Sequence, residues 1–126
     1  MLDLIFPDYP RFYVLNADNT PRRVFSIREH VEWWAENEAL FRVAWTEVDN
    51  RFDVSTIFLG MDFNTDTSAE PVLWETMIFA RTQRRVPVGD MYRYTSYEKA
   101  LKGHVRACAV ASAIARELDA KQGTKN

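Results

Sequence analysis

Between residues 41 and 60 the chain alternates. Phe41, Val43 and Trp45 are interleaved with Arg42, Ala44 and Thr46, and Phe52 and Val54 with Asp53 and Ser55. A period of two predicts half-buried strands over 41–48 and 51–60, joined as a hairpin by a turn at Asp49–Asn50. Beyond Val54 the alternation gives way to the solid run Ile57, Phe58, Leu59. This predicts a central strand end buried on both faces. PVLWETMIFA (71–80) reads as a third strand. Nearer the amino terminus, RFYVL (11–15) and TPRRVF (20–25) flank NADN (16–19), whose Asn and Asp favour a tight turn. They predict a small hairpin, with Pro21 placing its second strand on an edge.

Two segments carry helical spacing instead. Ser26 and Glu29 form a capping box before Ile27, Val31 and Trp34, so a first helix is expected from about Ile27 to Glu38. Its other face carries Arg28, Glu29, Glu32 and Glu36. Thr95 and Glu98 make a second capping box. After it Tyr97, Leu101, His104, Cys108, Ala111, Ala115 and Leu118 step by three and four. This predicts a long amphipathic helix with a small-residue face lying close on a sheet. Gly103, inside that helix, costs about 1 kcal/mol against Ala. A helix keeps such a residue where something passes close to its backbone, and a strand crossing beneath is expected. DFNTDTSAEP (62–71) reads as a polar loop and RTQRRVPVGDMYR (81–93) as a long, mobile basic one. The tail 119–126 has no apolar anchor and should fray from a single domain spanning 1–118. The expected architecture is α+β: an antiparallel three- to five-stranded sheet with two helices packed on one face, in the order β-hairpin, α, βββ, α.

Composition narrows the function classes. The 126 residues are 47% hydrophobic, enough for a real core, and four Trp, five Tyr and eight Phe exceed what it needs. Some aromatics should therefore be exposed, as at protein and ligand interfaces. Sixteen basic against 18 acidic residues give a net charge of -2, not the footprint of nonspecific nucleic-acid binding. Helix, three strands, helix is also the element order of double-stranded-RNA-binding domains. Here, however, Glu98 occupies the first turn of the second helix, where such domains present basic groups to phosphate. A lone cysteine, Cys108, excludes an internal disulfide and fits a reducing compartment. The opening LDLIFP is too short and too acidic for a signal peptide, and no run approaches the ~18 apolar residues of a membrane span. A soluble, cytoplasmic protein is expected.

The candidate chemistry is sparse. Asp62, Glu75 and His104 could converge, and a carboxylate orienting a histidine is a recurring catalytic arrangement. No Ser or Cys stands in an evident nucleophile position, since Cys108 is one turn beyond His104 on an Ala-rich face. The alternative is that Glu75 and His104 satisfy each other in a polar pocket, and no catalytic role is assigned. Asp62, Asn64, Asp66, Ser68 and Glu70 alternate like the start of a calcium loop. Thr67 and Leu73, however, stand where such a loop needs Gly and a bidentate Glu. There is no phosphate-cradling Gly loop, no C-x-x-C and no H-E-x-x-H, so neither metal nor cofactor is expected. Arg81, Arg84, Arg85 and Arg93 around the basic loop, with Trp33 and Tyr92, are the candidates for contact with a partner or ligand.

Three blocks, VSTIFLGMDFN (54–64), PVLWETMIF (71–79) and RYTSYEKALKGH (93–104), carry a resemblance. Together with Trp33 and Trp34 they are similar to a family of small proteins encoded by bacteriophages and prophages, over most of residues 12–105. The chain departs from that family after Asp62, where Phe63 stands in place of a frequent His and TDTSAE in place of a Gly- and Pro-rich stretch. The resemblance implies phage or prophage origin and action inside a bacterial cell. It carries no assigned activity. Three functions compete. The first is an accessory protein that binds a host protein stoichiometrically, for instance as an anti-CRISPR-like inhibitor of a defence nuclease complex. The second is a sponge for a small anionic signalling nucleotide. The third is a small enzyme using Glu75 and His104. The aromatic surplus and the Ala-rich helix also suit a homodimer.

Overall fold

The computed structural model describes residues 11–62, 69–82 and 84–123. In chain order its elements are β1 (Arg11–Leu15), β2 (Pro21–Val24), α1 (Ile27–Glu36), a 3₁₀ turn (Glu38–Leu40), β3 (Arg42–Val48) and β4 (Phe52–Phe58). There follow β5 (Met61–Asp62), β6 (Trp74–Ala80), β7 (Val86–Pro87), β8 (Tyr92–Tyr94) and α2 (Tyr97–Gly123).

The hairpin β3–β4 turns on Asp49 and Asn50, both with left-handed backbone (φ 54° and 57°) as in a type I′ turn, and the Arg51 N–H closes it on Val48 O at 3.1 Å. β4 then pairs antiparallel with β6, from Phe52↔Ala80 to Phe58↔Trp74, so it is central as the sequence predicts. Trp45 is where the alternation misleads. A bulge between Arg42 and Ala44 adds a residue to β3 and reverses the facing of everything after it. Ala44, Thr46 and Val48 therefore share the face of Thr56, Val54 and Phe52, and Trp45 turns to the opposite side, 45% exposed.

The polar end of β4 does not open a loop. Gly60, with φ 74°, bends the strand, which continues as β5 and pairs with β1 to form a second sheet, β2-β1-β5. Asp62 is thus a buried strand residue, its carboxylate 2.7 Å from Arg11 Nη2. At Gly60 the backbone is also tightly enclosed, because a Cβ there would lie 2.8 Å from the Trp34 ring. The expected basic loop is likewise partly strand. β7 pairs with Phe79–Ala80, and β8 pairs with Trp74–Thr76 along the same edge of β6.

α1 starts as expected, with Ser26 Oγ accepting the Glu29 N–H at 3.1 Å. It stops at Glu36, because Asn37 closes it by donating from its backbone and side chain to Trp33 O. α2 is capped by Ser96, not Thr95: Ser96 Oγ accepts the Lys99 N–H at 3.1 Å. Its buried face is Ala100, Gly103, His104, Ala107, Ala111 and Ala115. Leu101 and Leu118, expected inside, are 39% and 41% exposed. The small-residue row admits the helix close to the sheet and leaves the leucines no room beneath it. α2 continues to Gly123, past Leu118, and Arg51 ties it down there by donating to both Asp119 oxygens, at 2.8 and 2.9 Å.

Two apolar clusters fill the space under the helices. Phe52, Val54 and Ile78 meet Ala107, Ala111 and Ala115. Phe58, Leu73 and Trp74 meet Leu15 and Ala100, with Trp33 and Trp34 of α1 packed against them. The fold is α+β, with antiparallel sheets of five and three strands. Of the two helices, α2 covers the five-stranded sheet, while α1 lies on β1 and reaches the end of β4.

Candidate functional site

Asp62, Glu75 and His104 do not share a cavity. His104 reaches down from α2 onto the inward face of the sheet, where its partners are threonines. Thr56 Oγ1 lies 2.8 Å from Nδ1 and Thr46 Oγ1 lies 2.8 Å from Nε2. Thr56 in turn shares a hydrogen bond with Thr76, its directly paired neighbour on β6. Burial pushes the His104 pKa below its ordinary value, because no carboxylate stands by to stabilise the imidazolium. A neutral ring donates from one nitrogen and accepts at the other, so both are satisfied within the threonine layer. That layer was legible only indirectly: Thr46, Thr56, Thr76 and His104 are polar residues at inward positions of four neighbouring elements.

Glu75 faces the other way. It alternates with Thr76 along β6 and lies opposite Arg93 on β8, whose Nε donates to Oε2 at 3.1 Å. Asp62 belongs to the second sheet and to Arg11. The other histidine is His30, whose Nε2 lies 2.9 Å from both Gly60 O and Trp34 Nε1. Protonated, that nitrogen donates to the carbonyl. Unprotonated, it accepts from the indole. Burial lowers the His30 pKa, against a smaller upward pull from the Gly60 and Tyr13 backbone.

The outward face of the five-stranded sheet has no described helix on it. Trp45, Ser55, Ile57, Met77 and Phe79 line it, the last four half-buried. Around them charges are paired. Arg81 bonds Glu47 and stands 3.4 Å from Asp53, Arg85 is 3.9 Å from Asp53, and Arg93 holds Glu75. Two guanidiniums also lie over rings, Arg85 on Phe79 at 4.6 Å and Arg42 on Trp45 at 5.6 Å. Three of the four arginines singled out in the sequence are therefore committed to carboxylates on one face. Arg84 is exposed, with no ion pair among the described residues.

No family model, curated protein or solved structure matches the chain. What it can do therefore rests on its own geometry. Of the remaining candidates, Trp33 is half-buried, its ring spent against Trp34 and Phe58, and offers little to a partner. Tyr92 is 38% exposed and borders a cleft of about 350 Å³ between β8 and α2. Among the described residues the exposed aromatics are Phe25, Phe41, Trp45 and Tyr92, Trp45 being turned outward by the bulge in β3. Among the described residues no group of His, Cys, Asp and Glu is placed to hold a metal ion, and no helix is long and apolar enough to cross a membrane. Asn64, Asp66 and Ser68 of the alternating acidic stretch lie outside the described residues.

Proposed function

We propose that the chain is a phage- or prophage-encoded accessory protein that acts by stoichiometric binding to a host bacterial protein, such as a defence nuclease complex. The contact is made through the outward face of the five-stranded sheet. One observation carries the reading. This face sets Trp45 and Phe79, each under an arginine in cation–π contact, beside Met77, residue types enriched at protein interfaces. Ion pairs to Glu47, Asp53 and Glu75 already hold Arg81, Arg85 and Arg93 in place, so less side-chain freedom is lost on docking. An enzyme built on Glu75 and His104 is disfavoured, because the two residues sit on opposite faces of one sheet.

The test is inhibition of a purified defence nuclease complex, together with plaque counts on defended and undefended hosts. Inhibition should saturate at one chain per complex. Trp45→Ala, which lies outside both apolar clusters, should weaken it at least about tenfold with an unchanged circular dichroism spectrum. Equal plaque counts on both hosts, or full potency in Trp45→Ala, would overturn the proposal.

A further inference from the structure

On the helix side, away from the outward face, the cleft between β8 and α2 has a chemistry of its own. Its floor is Gly103 and Ala107, with Val110 as an apolar wall. Tyr92 and Tyr94 alternate with Arg93 on β8, so both rings project to the side that α2 covers. Arg93 projects to the other side, and its bond to Glu75 fastens β8 to β6 from behind. It acts as a positioning residue for the two tyrosines. Arg93 borders the cleft too, but its guanidinium is committed to Glu75, so the cation left to a ligand is Arg106, one turn along the helix from Gly103.

Three donors border this space and are engaged by no other described residue. Among the described residues, neither tyrosine hydroxyl nor the Arg106 guanidinium has a hydrogen-bond or ion-pair partner. No described carboxylate lines the cleft, in a chain whose net charge is -2. Gly103 is part of the construction. A Cβ there would lie 2.1 Å from Tyr94 Oη and 2.2 Å from Cζ, so the helix accepts a poor helix former in order to seat that ring. The result is a small, mostly apolar hollow with aromatic sides and a few convergent donors, the usual make-up of a site for a ring-bearing anion. Its volume of about 350 Å³ is at the lower end of small-molecule sites and suits a mononucleotide.

We infer that the cleft binds a nucleoside monophosphate, linear or 3′,5′-cyclic. The base lies against Tyr92 and Tyr94, and the phosphate meets Arg106. The inference does not depend on the partner-binding face.

The experiment is thermal shift and equilibrium dialysis with AMP, GMP, CMP, UMP and cyclic AMP, set beside adenosine and inorganic phosphate. At least one nucleotide should raise Tm in a saturable way and bind at least about tenfold tighter than adenosine or phosphate alone. Arg106 is exposed, so Arg106→Ala should fold normally and lose about tenfold in affinity, while Arg106→Lys keeps part of it. Tyr92→Ala should weaken nucleotide and adenosine alike. If no nucleotide in the panel binds, or if Arg106→Ala binds as tightly as the parent, the inference is wrong. Trp45→Ala should leave nucleotide affinity unchanged. A loss there would also count against it, because the site would then lie on the other face.

Discussion

Replacing Gly103 by Ala sets two opposed effects against each other at one position. In a solvent-facing helix interior, Gly→Ala stabilises by about 1 kcal/mol, because it removes backbone entropy from the unfolded chain. Here the added methyl falls 2.1–2.3 Å from three atoms of the Tyr94 side chain, Oη, Cζ and Cε1. Contact at van der Waals distance would need the ring to retreat by more than 1 Å (~3.5 Å for carbon pairs). Tyr94 cannot slide freely, because Leu73 N–H donates to its carbonyl at 3.1 Å and β8 is registered on β6. A clash this deep belongs at the upper end of the about 1–3 kcal/mol that overpacking costs, so after the propensity gain of about 1 kcal/mol Gly103→Ala should still lower stability by about 1–2 kcal/mol. In a domain of this size that is a fall in Tm of roughly 3–10 °C. The decisive measurement is a double-mutant cycle by urea unfolding. With Tyr94→Ala in the background the clash is gone, and the same Gly103→Ala should now stabilise by up to about 1 kcal/mol. The sign must reverse. If Gly103→Ala raises Tm in the parent chain, the close seating of Tyr94 on α2 is wrong.

Other outcomes follow from buried polar groups and from Gly60. Thr56→Val strands His104 Nδ1 and Thr76 Oγ1 at once and should cost about 1–3 kcal/mol, whereas Thr56→Ser should cost less because the hydroxyl remains. Equal losses in urea titration would remove the threonine layer from the account. Gly60→Ala should destabilise by at least about 1 kcal/mol, since a positive φ and the Trp34 ring both oppose a side chain. A neutral melting curve would contradict it. His30 and His104 both have folded pKa values below the ordinary 6.5, so the unfolded chain takes up more protons in that window. Their contribution is complete above about pH 6.5 and is lost as pH falls through the folded values. Tm should therefore drop between pH 7.5 and 5.5, with part of the slope absent in His104→Gln. A flat profile would refute it.

The elements that announced themselves were those long enough to show a period. β3, β4 and β6 each span seven residues and α2 spans 27. β5, β7 and β8, at two or three residues, carry no period and passed for loop. They exist because an open edge of β1 or β6 recruits them, a tertiary cause. The same holds for facing. One bulge at Arg42–Ala44 moved Trp45 from core to surface, and a slight rotation of α2 exchanged Leu101 for Ala100. Cap chemistry was legible to within one residue, since Ser96 and Thr95 are equally able caps in sequence. At the site, Gly103 rightly signalled a close approach, but the object is an aromatic ring and not a strand. The pairing of Glu75 with His104 failed on parity. Glu75 alternates with inward Thr76, and only the register of β4 on β6 decides which of the two meets the helix.

The bend at Gly60 also orders events in time. β1 leaves the ribosome before the five-stranded sheet is made, yet its second partner strand, β5, lies far downstream: Arg11 and Asp62 are 51 positions apart. Closing so long a loop repays its entropy only once β4 is already fixed between β3 and β6. During synthesis the amino-terminal hairpin must therefore wait, and α1, keyed through His30 to the Gly60 carbonyl, waits with it. A hairpin made early is the last to dock.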